Sequence, residues 1–360
     1  MRKKHYKTPP VLLGYNYSPE DAQRAGAKDR LLALRIETSN ACNLRCIYCN
    51  GASGRKMHGE ISFAAIKKAV AEAKDLGAES IIVIGGGEPT VYPHFISLIR
   101  YIHCKGLVPV VITNGLKLSL QMTRFLYDEN ASVLFKLDSL DAKTQDYLAG
   151  KKGAYKTIMQ GMEKLFKVGF NKASNGKLRC GASFVVTKVN YDEIASIWRF
   201  CRKHCIYPNL EEFIPRGRGL QYSHELNVAP IRIKQLKEKL LELDQREYGY
   251  SWLVYAPLPG HGCLQHLYSI YLACDGYVRP CADVDIKFFN VREMGISKIV
   301  QTPFFKYLRT IDRHIQGKCQ GCEYGKVCVG CRGKAFNVGI QEGLDMYNAI
   351  SREDPVCWKQ

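Results

Sequence analysis

No apolar run in this 360-residue sequence approaches the roughly 20 residues that a membrane-spanning helix needs. The basic start, Met1–Lys7, is followed by Pro9 and Pro10 instead of the apolar core of a secretory signal peptide. We therefore expect a cytoplasmic protein without a membrane partner. Cysteines rarely form disulfides in that compartment, so clusters among the 15 cysteines are expected to bind metal.

Acidic residues are comparatively few, with 34 Asp and Glu against 52 Lys and Arg, and the formal net charge is +18. Basic residues are densest at Arg2–Lys4, Lys151–Lys152, Arg202–Lys203 and Arg216–Arg218. No RNA- or DNA-binding motif accompanies this charge, so nucleic acid is not the expected partner. Two interpretations stay open, namely attraction of an anionic substrate or acidic peptide and an ordinary solvated surface.

Internal repeats and low-complexity tracts are also missing, and residues 31 to about 215 instead alternate β-rich apolar runs with segments of helical period. The predicted strands are Leu32–Thr38, Ser80–Gly85, Val108–Thr113, Val133–Asp138, Leu178–Val186 and Asn209–Pro215. Helices are predicted near 62–76, 93–105, 118–128, 154–168, 190–205 and 231–248. This alternation predicts an α/β fold, an open (β/α)6 partial TIM barrel with its site at the carboxyl ends of the strands.

Three cysteines lie within eight residues, at Cys42, Cys46 and Cys49, just after the first predicted strand. Three thiolates can hold a four-iron, four-sulfur cluster and leave one iron open, whereas an electron-transfer cluster usually has four cysteines. Zinc normally takes four ligands, and no histidine or further cysteine stands at ligand spacing nearby. Unrelated buried thiols are the remaining alternative. The triplet favours an iron–sulfur cluster over both.

The spacing of this triplet, with Tyr48 before its last cysteine, resembles the radical S-adenosylmethionine (SAM) family. The resemblance implies that the open iron chelates SAM. Gly85-Gly86-Gly87-Glu88-Pro89 follows the second predicted strand and resembles the family's Gly-Gly-Glu-Pro motif, whose glycines let the backbone approach a ligand closely.

The same resemblance implies further SAM contacts. Lys136–Asp141 resembles the Ser-Leu-Asp-Ser-Leu-Asp segment of molybdenum-cofactor cyclase relatives, and Lys136 replaces a serine that often reaches the SAM ribose. Asp138 or Ser139 is expected to take over that contact. The residues expected to bind the cofactor are Tyr48, Gly86, Gly87, Glu88, Asn114, Asp138, Ser139 and Ser183.

Seven more cysteines in the last third of the chain resemble the SPASM extension of radical SAM enzymes, which holds two auxiliary four-iron clusters. The resemblance assigns Cys319, Cys322, Cys328 and Cys357 to the outer cluster. It assigns Cys263, Cys281 and Cys331 to the inner one, with the fourth position open or filled by a residue such as His261. Two residues separate Cys328 from Cys331, where the family usually has three. A zinc site on the Cys-x2-Cys pairs is the alternative.

The implied organisation is an N-terminal extension (1–30), a radical SAM barrel (31–250) and a SPASM domain (251–360). The implied cofactors are SAM and three [4Fe-4S] clusters, one binding SAM and two auxiliary, with flavodoxin or ferredoxin as electron donor. Cys104, Cys180, Cys201 and Cys205 are expected to be buried thiols, and Cys274 to be structural.

The implied reaction is reductive cleavage of SAM to a 5′-deoxyadenosyl radical, which abstracts a hydrogen atom from the substrate. Auxiliary clusters suit a two-electron oxidation, for which Asp283 is the candidate base, with Asp285 and Arg279 as alternatives. Only about 40 residues precede Cys42, so the leader-binding domain common in peptide-modifying relatives is not expected. This favours a small sugar, aminocyclitol or nucleotide-like substrate over a ribosomally made peptide or protein side chain. A non-enzymatic cluster or zinc protein is the third hypothesis.

Overall fold

The computed structural model describes residues 5–174, 176–259, 263–325 and 327–359. Its strands are β1 (Val11–Leu12), β2 (Ala33–Ile36), β3 (Ser80–Val83), β4 (Val108–Thr113), β5 (Ser132–Lys136), β6 (Lys177–Leu178), β7 (Cys180–Val186), β8 (Tyr207–Glu212), β9 (Ser269–Leu272) and β10 (Val278–Arg279). Its helices are α1 (Pro19–Ala27), α2 (Phe63–Asp75), α3 (Phe95–Cys104), α4 (Leu120–Asp128), α5 (Ala142–Ala149), α6 (Ala154–Val168), α7 (Ile194–Lys203), α8 (Ser223–Leu226), α9 (Pro230–Leu243), α10 (Gln265–Tyr268), α11 (Ile296–Ile299), α12 (Pro303–Arg309), α13 (Arg332–Gln341) and α14 (Met346–Ser351).

The main sheet has eight strands in the order β10-β9-β2-β3-β4-β5-β7-β8. The six strands from β2 to β8 pair in parallel, as the alternation of the sequence predicts. Within the described chain the sheet ends at β8 and β10, so the barrel is open. The predicted α/β fold with an open, mostly parallel barrel is confirmed.

Helices α2, α4 and α5 of the barrel begin at side-chain caps and bury residues on one face. The Ser62 hydroxyl accepts a hydrogen bond from the Ala65 N–H at the start of α2, and Ile66, Ala69, Val70 and Ala73 of that helix are buried. Such caps satisfy main-chain donors that a helix start leaves free. No helix of the described residues is long and apolar enough to cross a membrane.

The N-terminal segment packs against the barrel. β1 pairs in parallel with β6, and the Ser132 hydroxyl donates to the Leu13 carbonyl at 2.8 Å. Gly14 adopts φ +74°, and a Cβ there would lie 2.9 Å from Val108 Cγ1. This close approach brings residues 8–19 into the wall of the central cavity.

The last third of the chain continues the barrel sheet beyond residue 250. β9 pairs in parallel with β2, and the predicted hairpin around Asp275-Gly276 is confirmed by the antiparallel pairing of β9 and β10. Gly276 has φ +90°, as a tight turn requires. Helices α11 to α14 lie in the part predicted to be loop-rich.

Candidate active site: a cavity between two sets of cysteines

Residues 37–60 form a loop at the carboxyl end of β2, which we call the cluster loop. Its two arms meet at Cys42 and Gly54, where the Cys42 N–H donates to the Gly54 carbonyl at 3.1 Å. The Glu60 carboxylate accepts from the Ser39 hydroxyl at 3.0 Å and from the main-chain N–H groups of Asn40 and Met57 at 2.9 Å each. Side-chain bonds to otherwise free main-chain groups hold such a loop in one shape.

The thiols of Cys42, Cys46 and Cys49 line the central cavity from this loop. Two sulfurs accept main-chain hydrogen bonds, Cys42 from Leu44 and Cys49 from Ser53, each at 3.4 Å. Burial raises the pKa of the Cys46 thiol to about 12, so a bound cation is needed to keep it as a thiolate. Three thiols on one loop, two of them with an N–H donor aimed at the sulfur, are the donor set of a [4Fe-4S] cluster that leaves one iron open.

Arg218 is a functional residue that the sequence pattern did not identify. Its guanidinium donates to the carbonyls of Cys46 at 3.0 Å and Ser53 at 2.8 Å, and its N–H donates to the Cys49 carbonyl at 3.0 Å. Gly217 permits this approach, since a Cβ there would lie 2.4 Å from the Asn50 carbonyl oxygen. Arg218 stood out in the sequence only as part of a basic stretch.

Arg218→Ala should loosen the cluster loop. Hydrogen bonds from a charged donor contribute about 1.5–3 kcal/mol each, so losing two should increase the rate of iron release by roughly tenfold or more. The measurement is anaerobic transfer of iron to a chelator, with exposed Arg124→Ala as the charge-matched control. Equal release rates for both variants would contradict the assigned role.

The glycine turn after β3 is bonded to the cluster loop. The Gly87 N–H donates to the Ser39 carbonyl at 2.8 Å, and the Glu88 N–H donates to the Ala41 carbonyl at 2.9 Å. A Cβ on Gly87 would lie 1.9 Å from the Ala41 carbonyl oxygen, whereas one on Gly86 would meet only the Glu37 carboxylate, at 3.1 Å. Gly87 therefore serves backbone packing, whereas Gly86 lines the cavity and faces the Glu37 side chain.

The Glu88 carboxylate links this turn to the end of β4. One oxygen accepts from the Thr90 N–H and from the hydroxyls of Thr90 and Thr113, and the other accepts from the Asn114 N–H at 2.7 Å. Burial raises the pKa of Glu88 despite these bonds. The Asn114 amide donates to Asn43 Oδ1 at 2.7 Å and lies 4.0 Å from the Cys42 sulfur. Both Glu88 and Asn114 line the cavity.

The end of β5 holds Tyr48 in place. The Tyr48 hydroxyl donates to Asp138 Oδ2 at 2.5 Å, and Lys136 Nζ lies 3.4 Å from Asp138 Oδ1 and 5.3 Å from the Tyr48 ring centroid. Tyr48 and Lys136 line the cavity, whereas Asp138 is fully buried outside its described lining. Lys136 is therefore the polar side chain of this strand end that reaches the cavity.

Ser139 and Ser183 are also fully buried outside the described lining. The Ser139 hydroxyl donates to the Glu193 carboxylate at 2.5 Å, and the Ser183 hydroxyl donates to the Glu211 carboxylate at 2.9 Å. Both hydroxyls are thus engaged with protein carboxylates, and of these Glu211 itself lines the cavity.

The C-terminal cysteines separate into two groups. Cys263, Cys281 and Cys331 line the cavity, whereas the described lining omits Cys319, Cys322, Cys328 and Cys357. In the second group, Cys328 accepts from the Gly330 N–H at 3.4 Å and Cys319 accepts from the Asp354 N–H at 3.5 Å. The cavity lining thus contains the three cysteines assigned to the inner cluster and none of the four assigned to the outer one. His261, the suggested extra ligand, lies outside the described residues.

Among the remaining cysteines, Cys180, Cys201 and Cys274 are buried, as expected. Cys104 and Cys205 are exposed, so the prediction of buried thiols was wrong for these two. Each lies at or just after the end of a barrel helix, where the chain turns at the surface.

Contacts near Asp283 join the two sides of the cavity. Asn50, next to Cys49, donates to Asp283 Oδ1 at 3.1 Å, and Arg216 donates to the Ala282 carbonyl at 3.1 Å. Arg216 also pairs with Asp285 at 3.4 Å. The cavity has a volume of ≈ 1090 Å³. It is lined by the cysteine triplet and by Cys263, Cys281 and Cys331, which we call the Cys263 group.

Comparisons with known proteins agree with this geometry. The Radical SAM superfamily model matches residues 36–201, and the SPASM model, an iron–sulfur cluster-binding domain, matches residues 263–323. An AdoMet-dependent heme synthase of Methanosarcina barkeri is 27% identical over 339 residues, 85% of this chain and 92% of the relative. Mycofactocin maturase MftC of Mycobacterium ulcerans is 26% identical over 346 residues, 91% of this chain and 88% of the relative.

A solved structure with the same fold is Streptococcus suis SuiB bound to its precursor peptide SuiA. It has a TM-score of 0.71 and 19% identity, covering 94% of this chain and 80% of SuiB. The family models and the curated relatives confirm two predictions, namely that the chain is a radical SAM protein with a SPASM extension and that it is an enzyme. The chain is an enzyme that belongs to the radical SAM superfamily and carries a C-terminal SPASM domain.

Proposed function

We propose that the chain is an oxidoreductase with three [4Fe-4S] clusters that abstracts a hydrogen atom from a small substrate and completes a two-electron oxidation. The observation that carries this proposal is that one cavity is lined by Cys42, Cys46 and Cys49 and by the Cys263 group. Cys42, Cys46 and Cys49 would hold a cluster that could supply the electron for reductive cleavage of SAM to methionine and a 5′-deoxyadenosyl radical, and Cys263, Cys281 and Cys331 would hold one that could take up the electron left on the oxidised substrate.

The chain's own residues would position SAM and substrate. The cluster loop and the Gly86-Gly87 backbone approach the cavity together, while Tyr48, Lys136 and Asn114 present an aromatic face, a cation and an amide. Asp138 fixes the Tyr48 hydroxyl and the Lys136 ammonium from behind. Fixed donors in an enclosed site hold reacting atoms in line at little cost at the moment of reaction. Asp138, Ser139 and Ser183 would then act indirectly, by positioning the side chains they bind. These are Tyr48 and Lys136 for Asp138, Glu193 for Ser139 and Glu211 for Ser183.

Asp283 is our candidate proton acceptor. It lines the cavity beside Cys281 and is held by the amide of Asn50 from the cluster loop. A base there lies between the two cysteine groups. Asp285 pairs with Arg216 and Arg279 instead, which makes it a counter-charge.

The enclosing wall favours a small substrate. Residues 8–19 line the cavity together with the barrel and the SPASM part, and a volume of ≈ 1090 Å³ suits a small molecule. The relative named as a heme synthase makes a small molecule. A peptide substrate is the second candidate, supported by the relative named as a mycofactocin maturase.

The test uses anaerobically purified, cluster-loaded protein. We expect about twelve irons per chain with little zinc, and about eight in Cys46→Ala. Dithionite-reduced wild type should form 5′-deoxyadenosine from SAM, Cys46→Ala should form none, and Asp283→Asn should still form it while losing product. Mostly zinc, or no 5′-deoxyadenosine from wild type, would refute the proposal. Stimulation of 5′-deoxyadenosine formation by peptides but not by small molecules would favour the second candidate.

A further inference from the structure

Arg35 lies on β2, and its side chain lines the central cavity. The residue is only 6% exposed, and its Nε is buried without a hydrogen-bond partner. Its guanidinium carbon lies 5.2 Å from the centroid of the Tyr15 ring. In the part of the chain that the structure describes, it forms no ion pair, so this is a buried cation without a carboxylate partner.

The other arginines of the cavity wall are engaged. Arg202, Arg216 and Arg279 pair with carboxylates. Arg218 and Arg332 donate to main-chain carbonyls. Glu211, a carboxylate on the same wall, accepts from Ser183 and Asn209. Of these arginines Arg35 has neither a carboxylate nor a carbonyl partner among the residues described.

Among the described residues no carboxylate pairs with Arg35, whose electrostatic neighbours are the phenols of Tyr15 and Tyr268 and the thiol of Cys263. Burial raises the pKa of Tyr15, Tyr17, Tyr207 and Tyr268, so these phenols are neutral. Arginine does not lose its proton in proteins, and a buried charge is costly unless it is paired. A residue of this kind persists where a ligand supplies the missing charge, and the open space beside it is the cavity.

We propose that Arg35 binds a carboxylate of the substrate, at a subsite on the barrel wall among Tyr15, Tyr207 and Tyr268. This deepens the proposed function and rests on it. A single planar guanidinium matches a carboxylate in two parallel hydrogen bonds, and one cation balances a monoanion better than a phosphate dianion. The aromatic walls suit an apolar body next to the carboxylate.

The position of Arg35 separates this subsite from the radical-generating end. At about 3.3 Å per strand residue, its Cα lies roughly 7 Å before Glu37, where the cluster loop begins. The substrate therefore carries its carboxylate away from the carbon that is attacked. Binding of the carboxylate by Arg35, away from the reacting carbon, would then help to hold the reacting C–H bond in position.

The experiment is isothermal titration calorimetry of cluster-loaded protein with two probes of equal shape, 4-phenylbutanoate and 4-phenylbutanamide. Wild type should bind the acid at least about tenfold more tightly than the amide, because a charged pair replaces a neutral contact. Arg35→Gln should lose this preference and Arg35→Lys should keep part of it. Exposed Arg124→Gln should behave like wild type. Equal or undetectable binding of both probes by wild type would overturn the proposal.

Two further measurements make the result specific. Ligand-free Arg35→Gln should unfold at a temperature no lower than wild type, since only the contact with Tyr15 is lost while an unpaired buried charge is removed, and a lower midpoint would show a structural role instead. Weaker SAM binding with an unchanged acid preference would assign the guanidinium to the carboxylate of SAM and overturn the proposal. Calorimetry with the probes needs no reductant or SAM cleavage. Failure to form 5′-deoxyadenosine would therefore refute the proposed function and leave this result standing.

Discussion

Gly87→Ala is expected to reduce 5′-deoxyadenosine formation by at least about 100-fold and to remove the iron held by the triplet. The new Cβ would lie 1.9 Å from the Ala41 carbonyl oxygen and 2.8 Å from the Asn40 carbonyl carbon, both main-chain atoms that a side-chain rotation cannot clear. The turn and the cluster loop must separate, which breaks two hydrogen bonds worth about 1 kcal/mol each and adds about 1–3 kcal/mol of overpacking.

Gly86→Ala provides the comparison that separates cluster assembly from SAM binding. The three atoms nearest its Cβ would all belong to the Glu37 carboxylate, at 3.1 Å or more, and not to the main chain of the loop, so the loop should keep its iron while the SAM dissociation constant rises. Gly153→Ala has the strain of a positive φ but nothing within 4 Å, and it should change neither iron content nor SAM affinity. Full iron content in Gly87→Ala, measured with a colorimetric iron assay, would contradict the packing argument.

Features encoded by local pattern could be predicted from the sequence. Each barrel strand is a short apolar run next to an amphipathic segment, so β4 and α6 have the predicted bounds. The cysteine triplet and the glycine turn are contiguous motifs, and the strand ends bring them together. The hairpin of β9 and β10 follows from its Asp-Gly pair.

Features created by packing between distant segments could not be predicted. Arg218 reaches the cluster loop only because the chain after β8 crosses it, and no spacing in the sequence announces that contact. Lys136, Ser139 and Ser183 are all polar residues on or just after predicted strands, yet of these three only Lys136 lines the cavity. In the sequence, Arg35 is one charged residue inside an apolar strand. Only the three-dimensional structure shows that no described carboxylate pairs with it.

The sequence predicts a loop-rich C-terminal part because closely spaced cysteines and glycines interrupt the hydrophobic periodicity there. Its helices are short or weakly amphipathic, and α13 begins directly after Cys331. The sheet also continues across residue 250 through β9, since this strand completes the hydrogen bonds of β2. A composition change therefore marks the start of the SPASM part, while the backbone pairing joins it to the barrel.

Asp244→Ala is expected to lower the free energy of unfolding by about 3–5 kcal/mol. Its fully buried carboxylate accepts from the indole N–H groups of Trp198 and Trp252, at 2.9 and 2.8 Å, and from two nitrogens of Arg202. These bonds tie α7 and the end of α9 to the segment that leads into the SPASM part. Removing the carboxylate leaves the nearly buried Arg202 cation unpaired, and a protein with about 5–15 kcal/mol of total stability cannot absorb that easily.

Glu247→Ala is the matched control, because Arg199 binds Glu247 from the same helix α7 but at the surface. Exposed ion pairs contribute little, so its thermal midpoint, followed by circular dichroism under anaerobic conditions, should stay close to that of wild type. The double variant Asp244→Leu/Arg202→Leu should be more stable than Asp244→Ala alone, since it removes the orphaned charge as well as its partner. If the double variant were as unstable as the single one, the loss would come from the indole contacts, and the account based on an unpaired cation would be wrong.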